Sequence, residues 1–132
     1  MSIDVLVADD DIVMLSMITT ILEKNGFNVT KADNGARAVE KALAQKFDLI
    51  ITDIMMPKIE GIEVISEIIE KWPESKIIAI SSEGRVGFTS FLKIAETVGA
   101  TATLQKPFSP DVLLETIESL KIKTGQETPA CS

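Results

Sequence analysis

A chain of 132 residues, 45% of them hydrophobic, suits one core and leaves little for a second. A net charge of −7 lacks the electrostatic footprint of a nucleic-acid binder and offers no attraction to anionic lipid. Histidine is absent, which removes Ser-His chemistry, histidine metal ligands and any phosphohistidine on this chain.

Other exclusions come from single features. The lone cysteine, Cys131, has no internal disulfide partner, which fits a reducing, cytoplasmic compartment. No apolar run reaches the ~18 residues of a membrane span, and the start "MSIDVLVADD" has no basic n-region of a signal peptide.

In chain order, "IDVLVA" (residues 3–8) reads as a first strand. A helix follows in which Met14, Ile18 and Ile21 share a face, and Asn25-Gly26 supplies a left-handed stop. "FNVTKA" (27–32) is a second strand. After the turn "DNG" comes an Ala-rich helix marked by Ala36, Val39 and Leu43. "FDLIIT" (47–52) is a third strand. Ile65, Ile68, Ile69 and Trp72 then repeat at helical spacing until Pro73 stops them. "KIIAIS" (76–81) is a fourth strand, and Phe88, Phe91, Leu92, Ala95 and Val98 mark a fourth helix, with Gly99 just beyond. "TATLQ" (101–105) is a fifth strand. The fifth helix opens on Ser109 as N-cap with Pro110 at N1, and Phe108 and Leu113 are spaced as a hydrophobic staple. The tail "KTGQETPACS" loses apolar periodicity and is expected to be loose. The division is therefore a domain over 1–122 and a flexible tail over 123–132.

Five βα units in strict alternation predict an α/β fold, a doubly wound parallel sheet of five strands with helices on both faces. The first, third and fourth strands are nearly continuous in Val, Ile and Leu, as buried parallel strands are. In such a sheet, ligands sit outside the carboxyl ends of the strands. Those ends carry Asp9 and Asp10 on strand one, Asp53 on strand three, Ser81 and Ser82 on strand four, and Lys106 on strand five.

Each of these residues has an ordinary explanation. Asp11, and Asp10 with it, suits a helix cap; Asp53 suits bonds to nearby amides; the serines are common loop residues; lysine is usually solvated. Their coincidence at one edge is what points to chemistry. Oxygen ligands without histidine or cysteine select a hard cation, Mg²⁺ or Mn²⁺. Asp10 and Asp53 are read as direct ligands and Asp9 as a ligand through water. A carboxylate beside such an ion, opposite an ammonium and a hydroxyl, is arranged to accept a phosphoryl group. Lys106 neutralises the transferring oxygens and Ser81 donates to one of them.

The strings "VADDD", "DIMMP" followed by "EGIE", "AISSE" and "LQKPF" resemble the receiver domains of two-component response regulators, a likeness that runs from about Ile3 to Leu120. The resemblance implies a (βα)5 flavodoxin-like sheet of order 2-1-3-4-5. Asp53 is then the phosphoacceptor, Asp9 and Asp10 the acidic pair, the Met55 carbonyl a further metal ligand, Ser81 the switch hydroxyl and Lys106 the phosphoryl-pairing lysine. A cis peptide bond between Lys106 and Pro107 is also implied. The implied partners are a histidine kinase or phosphotransfer protein as donor and a downstream protein. The latter is recognised through the face of the fourth helix, fifth strand and fifth helix, with no direct nucleic-acid or membrane contact. Such a chain is not an enzyme on a separate substrate; it promotes only its own phosphorylation and dephosphorylation.

The chain departs from the family pattern in three ways. Thr103 stands where many receivers carry Tyr or Phe, "EGRVGFTSFLKIAETVGA" is longer than expected, and no output domain follows the fifth helix. The alternative function is a small Mg²⁺-dependent phosphohydrolase with an aspartyl nucleophile, Asp9, and Asp11 as its acid. It lacks a late acidic pair to complete the metal site.

Overall fold

The computed structural model describes residues 3–54, 61–82, 99–106 and 108–120. Five strands, β1 (Asp4–Ala8), β2 (Asn28–Ala32), β3 (Leu49–Asp53), β4 (Ile77–Ser82) and β5 (Ala102–Lys106), form one sheet of order β2-β1-β3-β4-β5. Every neighbouring pair is parallel, with Ala8 opposite Thr52 and Asp53 opposite Ile80. The expected fold and strand order are therefore found, and each strand begins and ends within two residues of its expected limits. Strand one, however, stops at Ala8, so Asp9 and Asp10 lie just beyond it.

Side chains alternate along each strand and feed two cores. Val5, Val7, Leu49, Ile51, Ile78 and Ile80 face α1 (Ile12–Lys24) and the C-terminal helix (Pro110–Ser119). Leu6, Ala8, Ile50, Ile77 and Ala79 face α2 (Gly35–Ala44) and α3 (Gly61–Lys71). The central strands are buried on both faces, which is why they read as unbroken Val/Ile/Leu runs. Each fully buried isoleucine there contributes about 1.5–3 kcal/mol relative to an exposed one.

The helix boundaries follow their caps. The Asp11 carboxylate accepts the N–H groups of Val13 (3.0 Å) and Met14 (3.3 Å) at the start of α1. At its end Gly26 adopts φ +88°, Phe27 N–H donates to the Leu22 carbonyl and Gly26 N–H to that of Glu23. The Ser109 hydroxyl accepts the Val112 N–H, with Pro110 in the first turn. Phe108 packs against the same core cluster as Leu113.

Two helix faces differ from expectation. In α2 the buried residues are Gly35, Ala38, Val39 and Ala42, while Ala36 and Leu43 are exposed. The buried stripe is made largely of small residues and is offset from the one marked by Ala36 and Leu43. In α1 the buried stripe is centred on Leu15, Ile18 and Leu22, with Met14 and Ile21 at its margin. Trp72 is half-buried, and its indole N–H donates to the Ala42 carbonyl (2.7 Å), tying the end of α3 to α2. The fourth helix, Met55, the Lys106–Pro107 peptide, the lengthened stretch over 83–98 and the tail lie outside the described residues.

Candidate functional site

The order 2-1-3-4-5 reverses direction between β1 and β3, and a crevice at the carboxyl ends of those strands is where ligands bind in such sheets. Asp9 and Asp10 leave β1 there, and Asp53 closes β3 beside them. One carboxylate oxygen from each of Asp9, Asp10 and Asp53 lies within 4.8 Å of the others. Asp9 is buried, Asp53 is buried and Asp10 is exposed.

The run Asp9-Asp10-Asp11 is thus divided three ways by the chain's turn from strand to helix. Asp9 faces inward, and its Oδ1 accepts the Asp11 N–H (2.9 Å). Asp10 faces solvent at the mouth of the site, and Asp11 turns away to cap α1. Asp11 is outside the cluster, in keeping with the role the sequence assigns it.

β5 brings in the cation. Lys106 Nζ lies 2.9 Å from Asp9 Oδ2 and 3.0 Å from Asp53 Oδ2, so one ammonium bridges the two strand ends. Sequence reasoning assigned Lys106 to the incoming group and did not foresee its contact with Asp9, since residues 97 apart in the chain carry no signal of that pairing. Burial pushes the Asp9 carboxyl above its ordinary value. The nearby Asp53 charge adds to this, and hydrogen bonds from Lys106 and the Asp11 amide offset only part of it. Burial alone would lower the Lys106 ammonium; the hydrogen bond to Asp9 and the charges of Asp53 and Asp9 outweigh it and hold Lys106 above its ordinary value.

The last member comes from β4. Ser81 is fully buried, and its Oγ has no hydrogen-bond partner among the described residues. A buried hydroxyl without a partner costs about 1–3 kcal/mol of desolvation. The observed group is therefore three carboxylates, one ammonium and one unengaged hydroxyl, drawn from the ends of four strands. Its donor set is all oxygen, which fits a hard divalent cation such as Mg²⁺. No helix among the described residues is long and apolar enough to cross a membrane.

Comparison with known proteins agrees with this geometry. The response regulator receiver domain pattern matches residues 5–118. The chemotaxis protein CheY of Bacillus subtilis (strain 168) is 40% identical over 114 residues, covering 86% of this chain and 92% of that protein. The chemotaxis response regulator CheY4 of Vibrio cholerae, known from a high-resolution structure, superposes with a TM-score of 0.82 at 30% identity, over 91% of this chain and 99% of that one. A receiver domain of a sensor histidine kinase from Pseudomonas aeruginosa PAO1 superposes with a TM-score of 0.80 at 25% identity, over 90% and 97% of the two chains. That structure holds a magnesium ion coordinated in its active site cleft.

Proposed function

Because this chain belongs to the response regulator receiver family of two-component signalling, we propose that it is a phospho-switch whose acceptor is Asp53. The observation that carries the reading is the convergence of Asp53 with Asp9, Asp10 and Lys106 at the switch point of the sheet. A divalent cation, Mg²⁺ or Mn²⁺, would be held by Asp10 and Asp53, by Asp9 through water and by the Met55 carbonyl. When bound, it would offset the negative charge of the transferring phosphoryl oxygens.

The chain's own groups do the rest. A carboxylate oxygen of Asp53 attacks phosphorus; the new O–P bond replaces the N–P bond of a phosphohistidine on a kinase or phosphotransfer protein, and the leaving imidazole takes a proton. Lys106, already beside Asp53, supplies fixed positive charge for the equatorial oxygens. Ser81, whose hydroxyl has no hydrogen-bond partner among the described residues, would donate to one of them. The chain then acts on no separate substrate; hydrolysis of its own acyl phosphate resets it. The output is altered binding of a downstream protein at the face of the fourth helix, β5 and the C-terminal helix, within the cytoplasm.

The phosphohydrolase reading fits less well. Asp9, its nucleophile, is fully buried, and both carboxylate oxygens are already engaged, by the Asp11 amide and by Lys106. Asp11, its acid, is committed to the helix cap.

The test is incubation with a small phosphodonor and Mg²⁺, followed by intact mass and peptide mapping. One phosphoryl group per chain, on the peptide containing Asp53, is expected. Sustained turnover that depends on Asp9 would overturn the reading.

A further inference from the structure

On the far side of β1 from the phosphoacceptor strand, the edge strand β2 is flanked by α1 on one face of the sheet and α2 on the other. A cleft of ≈ 390 Å³ spans that edge. Its apolar wall is Ile12 and Leu15 of α1, and its cations are Lys31 of β2 and Arg37 and Lys41 of α2. Ser16 and a single acid, Asp33, complete the lining.

Three features of this cleft call for an outside partner. First, the chain carries 20 acidic residues against 13 basic ones, yet three cations gather here around one acid. Second, none of the three forms a salt bridge; among the described residues the salt bridges are those of Lys106. Arg37 and Lys41 stand four apart on one helix face, a like-charge spacing that weakens a helix unless a counter-charge is supplied. Third, the wall opens onto exposed apolar surface, with Ile12 60% and Val13 78% accessible at the start of α1. A lysine on an edge strand guards against strand pairing. That explains Lys31 alone and leaves Arg37, Lys41 and the bare isoleucine unaccounted for.

We propose that this cleft docks an acidic segment of a partner protein, with its carboxylates on Lys31, Arg37 and Lys41 and one apolar side chain against Ile12 and Leu15. The charge sign selects the segment, and the open, largely polar lining suits an extended peptide better than an enclosed small molecule. The site is separate from the Asp53 chemistry and does not depend on it.

The experiment is a titration of the ¹⁵N-labelled chain, without Mg²⁺ or phosphodonor, with a short synthetic peptide of glutamates around a central leucine. Amide shifts are expected in residues 12–16, 31–33 and 37–41, weakening as salt is raised. The double charge reversal R37E/K41E should lower affinity about tenfold or more, while K76E leaves it unchanged. Should the double reversal disturb folding, K31Q and R37Q, each a milder exposed change, carry the same comparison. Shifts scattered over other cations, or affinity unmoved by these variants, would overturn the proposal. So would equal binding of a leucine-free peptide or of tripolyphosphate, which would mark a bare anion patch.

Discussion

β1 and β3 run side by side, and each has an aspartate at both ends: Asp4 and Asp9 on one, Asp48 and Asp53 on the other. At the amino end the Asp4 N–H donates to Asp48 Oδ2 (2.9 Å) and the Asn28 amide donates to Asp4 Oδ1 (2.7 Å). The Asp48 N–H in turn donates to the Asp4 carbonyl (2.9 Å). Neutral donors satisfy both side chains, and the pair fastens strands together. At the carboxyl end the same residue type is crowded by a third carboxylate, buried, and held by one shared ammonium, and the Ser81 hydroxyl at the end of β4 has no hydrogen-bond partner among the described residues. The difference lies in the donors: neutral amides hold both side chains at the amino end, whereas at the carboxyl end a single ammonium bridges two buried carboxylates.

The largest expected effect sets the two ends directly against each other. D53N should fold and take up no acid-labile phosphate from a small phosphodonor with Mg²⁺, whereas D48N should label as the wild type does, by intact mass. Labelling of D53N, or loss of labelling in D48N, would erase the distinction.

Metal binding sharpens it within one tripeptide. D10A should weaken Mg²⁺ affinity roughly tenfold or more, a loss of at least about 1.4 kcal/mol. D11A should leave affinity near wild type and lower stability by ~1 kcal/mol through loss of the cap. Titration calorimetry and thermal melting read the two effects separately, and equal loss of affinity in both variants would break the division.

At the amino end, D48A should cost about 1–2 kcal/mol, because the half-buried Asp4 N–H loses its acceptor. Its labelling rate should not change. Urea unfolding together with the labelling assay checks both.

pH acts on the carboxyl end through Asp9. Asp9 holds its proton more tightly in the folded chain than in the unfolded one, so between the ordinary carboxylate value of 3.8 and its raised value the folded state binds more protons. Its contribution to metal-free stability therefore falls as pH rises through that window. D9N should accordingly be more stable than wild type at neutral pH without metal, with the advantage disappearing as pH falls toward 3.8. Mg²⁺ should stabilise the wild type more than it stabilises D9N. A variant less stable than wild type at pH 7 would show that the Lys106 bridge outweighs burial.

The smallest effect concerns Ser81. Removing a buried hydroxyl without a partner should leave unphosphorylated S81A as stable as wild type or slightly more so. The variant should still acquire phosphate, but more slowly. A phosphoryl mimic with Mg²⁺ should slow amide exchange around Ser81 more than at Thr103 in the wild type, and this contrast should vanish in S81A.

Much of this was legible from residue order. The unbroken apolar strands and the caps at Asp11, Asn25-Gly26 and Ser109 depend on interactions within a few residues, and all are found. The faces of α1 and α2 were less legible. Ala36, Val39 and Leu43 mark α2 in the sequence, yet Ala36 and Leu43 are exposed while Gly35 and Ala38 are buried. Which stripe faces in depends on how closely the helix approaches the sheet, and no periodicity contains that distance.

By itself, then, the sequence determined which residues stand at the carboxyl ends of the strands, because a parallel sheet built from right-handed crossovers puts every strand's end on one edge. Only the tertiary structure decided what those residues do to one another. It buried Asp9 and left Asp10 at the mouth, ran the Lys106 ammonium across to both Asp9 and Asp53, and left the Ser81 hydroxyl without a partner among the described residues. The physical reason is that desolvation and charge pairing act through space. Asp4 and Asp9 are the same residue type five positions apart, and much of their difference lies in what the neighbouring strands bring within hydrogen-bonding distance, an Asn28 amide for one and the Lys106 ammonium for the other.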